Sequence, residues 1–294
     1  MGILLSKNTR VVVQGITGKE GRFWTEKMLE HGTNVTAGVT PGKEGEKVFG
    51  VPVFGSVEKA VWETGCNAAA VYVPAAFSKD SVFEALDAGI KIIVLLPEGI
   101  PVQDTLEMIA FAKEKDAMIL GPNCAGSMTR DECMIGFVPF WLDYVYRPGP
   151  VGVMTRSGSL TNEICSHIVS HGMGQTSVIG VGGDSVPGTR FWEILKHFQV
   201  DEETKAVVMV GEAGGTMEEE VADFINGGGF TKPLVAFLAG RTAPPDKKMG
   251  HAGAIVSGGK GSVEGKVAAL EAVGVKIATR PAEVGPLLRD SLES

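Results

Sequence analysis

Short runs of apolar, mostly β-branched residues alternate with amphipathic stretches of helical period along the chain, and that rhythm leaves few folds open. Arg10–Gln14, Asn34–Val39, Ala68–Val73, Lys91–Leu96 and Ala117–Leu120 read as buried strands. Phe77–Ala88 and Val102–Lys115, between them, space their apolar residues as helices do. Strand and helix in regular succession predict a parallel sheet with helices on both faces, because parallel neighbours need a long crossover that packs back onto the sheet. The rhythm lapses over 121–150, where Pro122, Pro139, Pro148 and several glycines break any period, as in a linker or a long irregular excursion. It resumes with strands at Val151–Thr155, Thr176–Val181, Ala206–Val210 and Leu234–Ala239, a helix over Leu160–Ser170 and a late helix over Val263–Ala272. Two doubly wound α/β domains are therefore expected, 1–125 and 126–294, and 294 residues with 44% apolar side chains suffice for two cores.

Charge and cysteine usage narrow the chemistry. A net charge of −8 with no Lys/Arg run argues against duplex nucleic acid and against an anionic membrane as partners. The N-terminus turns polar too soon for a signal peptide, and no apolar run reaches spanning length, so a cytoplasmic protein is expected. Cys66, Cys124, Cys133 and Cys165 show neither C-x-x-C pairing nor a histidine at ligand spacing, which predicts reduced structural thiols and no metal site. His167, His171 and His197 fall on helical patterns as packing or surface residues, and His31 ends a helix, where a partly positive ring would suit the dipole.

The first strand runs straight into Gly15-Ile16-Thr17-Gly18-Lys19-Glu20-Gly21, with a helix expected to begin near Arg22. Glycines at such a junction let the backbone approach a phosphate, and the helix N-terminus offers free N–H groups and partial positive charge. The segment is similar to the dinucleotide fingerprint with one glycine misplaced. The second strand ends in Gly38-Val39-Thr40-Pro41-Gly42-Lys43, where a nicotinamide enzyme would normally set an acid against the ribose hydroxyls. A lysine there suits a phosphorylated ribose, as in NADP or coenzyme A; a structural turn with a solvated lysine is the alternative.

In the second half, Thr155-Arg156-Ser157-Gly158-Ser159 joins a strand to a helix, so small hydroxyl residues can cap the helix or leave its N–H groups aimed at an anion. Another strand ends at Gly211-Glu212, which puts a carboxylate at the sheet edge where ligands bind in open α/β folds. Lys248 to Val256 sets His251 among glycines and alanines, within reach of a reactant, and imidazole near neutral pH is both nucleophile and proton carrier. A glycine turn that merely carries a solvated histidine is the competing reading. If Glu212 accepts a hydrogen bond from His251, it fixes the tautomer and steadies a ring that turns cationic on phosphorylation.

These motifs, with Gly121-Pro122-Asn123-Cys124, Gly180-Val181-Gly182-Gly183-Asp184 and Gly250-His251-Ala252-Gly253-Ala254, resemble in order and spacing the alpha subunit of succinate–CoA ligase over nearly the whole chain. That family of nucleoside-diphosphate-forming acid–CoA ligases includes ATP-citrate lyase. The resemblance implies a Rossmann-like CoA-binding domain over 1–125, followed by a flavodoxin-like doubly wound ligase domain over 126–294 that carries a phosphohistidine loop. It implies that His251 is phosphorylated, with Glu212 beside it and Ser157, Gly158 and Ser159 receiving the phosphate. Thr17, Gly18, Lys19, Glu20, Lys43, Val73, Pro74, Leu96, Pro97 and Glu98 match positions that hold coenzyme A, and Cys124 falls near its reactive end.

The mechanism so implied passes phosphate from ATP or GTP to His251 and then to a carboxylate, before coenzyme A displaces it from the acyl phosphate. No ATP-grasp or Walker pattern is present, so nucleotide and magnesium are expected on a separate ATP-grasp beta subunit, in a heterodimer or heterotetramer. Succinate is the expected acid, which would place the chain in the tricarboxylic acid cycle. Asn162, at a substrate-binding position where succinate enzymes usually carry tyrosine, together with Tyr146-Arg147-Pro148-Gly149, looks more like ATP-citrate lyase and keeps citrate (citryl-CoA synthetase) or malate as alternatives. Two other classes compete: an NADP-dependent oxidoreductase, which leaves the His251 loop unexplained, and a CoA-sensing regulatory protein, which binds without turnover.

Overall fold

The structure is a computed structural model that describes residues 2–241, 250–254 and 261–293. In chain order its elements are β1 (Arg10–Gln14), α1 (Lys19–Glu30), β2 (Asn34–Val39), β3 (Lys47–Val48), β4 (Val51–Phe54), α2 (Val57–Thr64), β5 (Ala68–Val71), α3 (Ala75–Asp87), β6 (Ile92–Leu95), α4 (Val102–Glu114) and β7 (Met118–Leu120). There follow β8 (Gly126–Thr129), β9 (Cys133–Gly136), β10 (Pro148–Thr155), α5 (Gly158–Ser170), β11 (Gln175–Gly180), α6 (Phe191–Val200) and β12 (Ala206–Glu212). The last are α7 (Met217–Asn226), β13 (Leu234–Ala239), α8 (Val263–Ala272), β14 (Lys276–Ala278), a 3-10 turn at Pro281–Glu283 and α9 (Val284–Leu292).

Two compact units divide the chain: Leu4–Val138 with Val186–Gly188, and the described residues of Met1–Ile3, Pro139–Ser185 and Thr189–Ser294. In the first, the sheet order is β3-β4-β2-β1-β5-β6-β7, parallel except for the β3–β4 pair. Without the short β3, the parallel strands run third, second, first, fourth, fifth, sixth, the doubly wound Rossmann order that opens a crevice beside the first strand. Strands β1, β2, β5, β6 and β7 of this sheet lie in an apolar core that includes Val12, Ala37, Ala69, Val71, Ile93, Leu95 and Ile119. Burial on both faces explains why these strands read as unbroken apolar runs.

The second unit orders its strands β14-β13-β12-β10-β11, all parallel, which is the flavodoxin-like order with the direction of winding reversed between β10 and β12. Its strand β12 is buried from end to end, Glu212 included.

The first unit extends past the expected 125/126 boundary to Val138, and residues after Gly121 are more ordered than a linker. β8 and β9 pair antiparallel as a hairpin in which every strand residue is buried. Thr33 Oγ1 bonds the hairpin through Met134 N and O at 2.9 and 3.0 Å, and Tyr72 Oη donates to Gly136 O at 3.3 Å. Two-sided burial erases the alternation by which a hairpin is usually recognised, and Gly126 and Gly136 face each other so closely that a Cβ on Gly126 would lie 2.1 Å from Ile135 O.

α1 begins at Lys19, a little before the expected Arg22, and buries Gly21, Thr25 and Met28 on one stripe. His31 caps its C-terminus, but burial and the Arg130 cation push its pKa down, so the ring is not the positive end-group expected of it. Gly21 is the tightest point of this packing: a Cβ there would stand 2.2 Å from Gly15 O and 3.0 Å from Ile16 Cα, both backbone atoms. Gly21→Ala is expected to lose about 1–3 kcal/mol of stability, read as a lowered thermal midpoint, because the helix must move off the turn. An unchanged midpoint would show that α1 is not seated there.

Candidate functional site

Each sheet gathers its chemistry at the carboxyl edge where its strand order reverses. In the first unit the residues after β1, β2 and β5 enclose a cavity of about 670 Å3, lined by Gly15, Thr17, Gly18, Thr40, Pro41, Tyr72, Val73 and Pro74, with Phe77 from α3. Gly15 takes a φ of +82°, open to glycine, and a Cβ there would press to 3.0 Å on Tyr72 O. Gly18 caps α1 without any side-chain hydrogen bond, so the first N–H groups of the helix stay available to an anion at this edge. Thr17 Oγ1 donates to Thr40 Oγ1 at 3.1 Å, and Thr40 Oγ1 to Val39 O at 2.9 Å, which ties the loops after β1 and β2 together. The lining mixes Val39, Tyr72, Val73, Pro74 and Phe77 with the polar Gln14, Asp80, Ser81 and Glu84, and the uncapped helix N-terminus beside it can receive a phosphate.

Thr17, Gly18, Val73 and Pro74 of the residues expected to bind coenzyme A line this cavity. Lys19 and Glu20 open α1 and are exposed, while Lys43 is exposed and paired to Glu46 at 3.0 Å. Leu96 is buried after β6, Pro97 O accepts from Asn123 N–H at 2.9 Å, and Glu98 is exposed; none of the six is among the lining residues. Cys124 is buried, its thiol directed at Leu120 O and Leu95 O, and burial pushes its pKa up to about 12, so it carries no thiolate.

In the second unit the residues after β10, β11 and β12 meet around one imidazole. His251 Nδ1 lies 2.7 Å from Glu212 Oε2. An ionised carboxylate only accepts, so Nδ1 carries the proton and the neutral ring keeps its lone pair on Nε2. The ring rests on Gly183: a Cβ there would be 2.5 Å from the imidazole Cγ and Nδ1. Gly253 N–H donates to Gly183 O at 3.1 Å and Ser185 Oγ to Ala252 O at 3.0 Å, which hold the described part of the histidine loop against the turn after β11. Lys248, Met249, Ile255 and Val256 lie outside the described residues.

Arg156 completes the arrangement. Its side chain is 3% exposed and its Nη2 stands 3.3 Å from Glu212 Oε1, an ion pair by distance that lacks hydrogen-bond alignment. The guanidinium also donates to Gly214 O at 3.3 Å and Asp184 O at 3.5 Å. Glu212 is thus shared between a fixed cation and His251. The hydrogen bond to Glu212 raises the His251 pKa, against the opposing effects of burial and of Arg156. The next residue, Ser157, caps α5 by accepting from Leu160 N–H at 3.4 Å, and Thr155 Oγ1 accepts from Ser157 N–H at 3.0 Å, while Ser159 is exposed in the first turn beside Gly158. Asn162, one turn further on, accepts at Oδ1 from the buried Tyr146 hydroxyl at 2.5 Å.

The structure therefore joins Glu212 to His251 as the sequence suggests. Arg156 and Gly183 had no assigned part, although a charged residue directly after an apolar strand and a paired glycine after another were visible. Among the described residues no helix is long and apolar enough to cross a membrane.

Comparison with known proteins places each half of the chain in a known family of domains. Residues 6–99 match the CoA binding domain model and residues 154–276 the CoA-ligase model. The chain is 50% identical, over 98% of its length and 94% of the relative's, to the alpha subunit of ADP-forming succinate–CoA ligase of Staphylococcus aureus. This chain belongs to the succinate–CoA ligase alpha-subunit family. Within that family it is also 54% identical, over 98% of its length and 99% of the relative's, to a subunit of the ADP-forming sulfoacetate–CoA ligase of Bilophila wadsworthia. The ATP citrate lyase of Methanosaeta concilii shares the fold at a TM-score of 0.91 and 24% identity; 99% of this chain matches, and it spans half the length of that one. As a member of the family, the chain is an acid–thiol ligase with a CoA-binding domain ahead of its CoA-ligase domain.

Because the folded pKa of His251 is raised, its contribution to stability is fully present below the ordinary value of 6.5 and is lost as pH rises through the folded value. Glu212→Gln is expected to return the His251 titration toward 6.5 and to flatten that part of the stability–pH curve, as read by histidine NMR and by unfolding at several pH values. A titration unmoved by the substitution would remove Glu212 from the site.

Proposed function

We propose that the chain is the alpha subunit of a nucleoside-diphosphate-forming acid–CoA ligase in which His251 accepts and passes on a phosphoryl group. The observation that carries this reading is the 2.7 Å contact between His251 Nδ1 and Glu212, which leaves Nε2 as the nucleophile of a half-buried ring. Phosphorylation at Nε2 leaves both ring nitrogens substituted and the ring cationic, and Glu212 offsets that charge without giving up its bond. Arg156 pairs with the carboxylate and lends positive charge to the region where phosphate arrives. At the start of α5, Gly158 and Ser159 are proposed to supply backbone N–H groups for the phosphoryl oxygens, and Ser157, whose N–H is held by Thr155 Oγ1, a hydroxyl proton. Transfer to the acid makes an acyl phosphate, whose leaving group departs far more readily than oxide from a free carboxylate.

Coenzyme A supplies the thiol that takes up the acyl group. Thr17, Gly18, Val73 and Pro74 are proposed to hold it along the cavity wall, with Lys19, Glu20, Lys43, Leu96, Pro97 and Glu98 as further contacts. ATP or GTP with magnesium is proposed to bind an ATP-grasp beta subunit, in a heterodimer or heterotetramer, since the chain carries no such motif.

For the acid we propose a short molecule with a second, remote anion: succinate, as the family name suggests, or sulfoacetate, which the 54% identical relative favours. Asn162 suits either. Its amide oxygen is engaged by Tyr146, so its NH2 is left to donate to a carboxylate or a sulfonate.

The test is to combine the chain with its ATP-grasp partner, add radiolabelled nucleoside triphosphate and magnesium, and chase with coenzyme A plus succinate, sulfoacetate, citrate or malate. Acid-labile, base-stable label is expected on wild type and not on His251→Asn, with discharge by succinate or sulfoacetate. Discharge by citrate or malate alone would overturn the assignment of the acid. Bound coenzyme A with no label on wild type would sink the ligase mechanism in favour of a CoA-sensing role.

A further inference from the structure

Beside the Glu212 backbone lies an ion pair that none of these steps uses. Lys266 of α8 and Glu218 in the first turn of α7 are both 0% exposed, a state that such side chains reach almost only in pairs. Lys266 Nζ donates to Glu218 Oε2, to Glu219 Oε2 at 2.9 Å and to Gly215 O at 3.0 Å, so each of its three N–H bonds has an acceptor. The other Glu218 oxygen, Oε1, accepts the backbone N–H of Glu212 at 3.1 Å. A continuous line of polar contacts thus runs from the Lys266 ammonium to the main chain of the residue that holds His251.

Packing reinforces the line. A Cβ on Gly211 would come within 2.4 Å of Glu218 Oε1, so the carboxylate sits directly against the end of β12. The loop after Glu212 is fixed from other directions as well: Gly214 O accepts from Arg156 Nη1 at 3.3 Å, and Gly214 N–H donates to Gly261 O at 2.8 Å. Burying two opposite charges seldom stabilises a fold more than apolar residues of the same volume would, because desolvation offsets the attraction. What this pair does that an apolar pair could not is to aim a negative oxygen at one particular N–H.

We infer that Lys266 and Glu218 are positioning residues for Glu212, clamping the last residue of β12 and the loop behind it so that the Glu212 carboxylate stays within hydrogen-bonding distance of His251. The catalytic importance of the clamp rests on the proposed phosphoryl transfer, whereas the placement of Glu212 registers in the His251 titration whether or not phosphate is transferred.

The test compares wild type with the double variant E218L/K266M, which removes both charges together, and with E218Q, which keeps the shape and loses the charge. Three quantities are read on the full chain: the thermal midpoint, the His251 titration among the five histidines by NMR, and, with the partner subunit added, the rate of label uptake. A folded double variant is expected, with its His251 titration displaced toward that of Glu212→Gln and label uptake slowed on the order of 10- to 100-fold by misplacement of the carboxylate. E218Q is expected to move both in the same direction by less. An unshifted His251 titration in the folded double variant overturns the inference whatever the rate, and if that variant fails to fold, an unshifted titration in E218Q overturns it. If wild type takes up no label, the phosphoryl-transfer reading fails and the titrations still decide the clamp.

Discussion

One carboxylate has to serve a cation on one side and an imidazole on the other, and the arrangement of the second unit follows from that requirement. Glu212 is 7% exposed, at the end of a strand buried throughout, where an unpaired charge would be costly. Arg156 supplies the compensating charge and His251 the hydrogen bond. The two partners pull the imidazole in opposite directions, Glu212 toward the protonated form and Arg156 away from it. For the phosphoryl transfer proposed for His251 such a balance is useful, because neither protonation state is held too firmly.

Close backbone approach is what lets the sites form. At Gly183 the imidazole occupies the space of a missing side chain, and at Gly15 the turn after β1 lies against Tyr72 at the rim of the cavity. Both positions follow strands at the carboxyl edge beside a reversal of strand order, where successive loops diverge and leave a crevice. The glycine-rich junctions are therefore consequences of placing chemistry at that edge, and the two units reach the same solution with different strand orders.

Much of this was legible in the chain. Arg10–Gln14, Asn34–Val39, Leu234–Ala239 and Val263–Ala272 stand where hydrophobic period places them, because burial and turn residues bound each of them sharply. The pairing of Glu212 with His251 was readable from strand-end position. What escaped is what depends on partners distant in sequence. β8 and β9 hide their strand character through burial on both faces, and Lys266, on the helix expected over Val263–Ala272, is drawn inside by Glu218 and Glu219, which are distant in sequence. Arg156 joins the site only because β12 brings Glu212 against it. Of the residues expected to bind coenzyme A, Thr17 and Gly18 line the cavity, while Lys43 pairs with Glu46.

In the proposed phosphoryl transfer, Glu212 fixes Nδ1 as the protonated nitrogen and leaves the chemistry to Nε2. Phosphorus–nitrogen coupling measured by NMR on chain carrying nitrogen-labelled histidine, after reaction with the partner subunit and magnesium nucleotide, reports which ring nitrogen bears the phosphate. Phosphate on Nε2 of His251, with the Nδ1 proton retained, is the predicted result. Phosphate on Nδ1, or on a residue other than His251, would contradict the account.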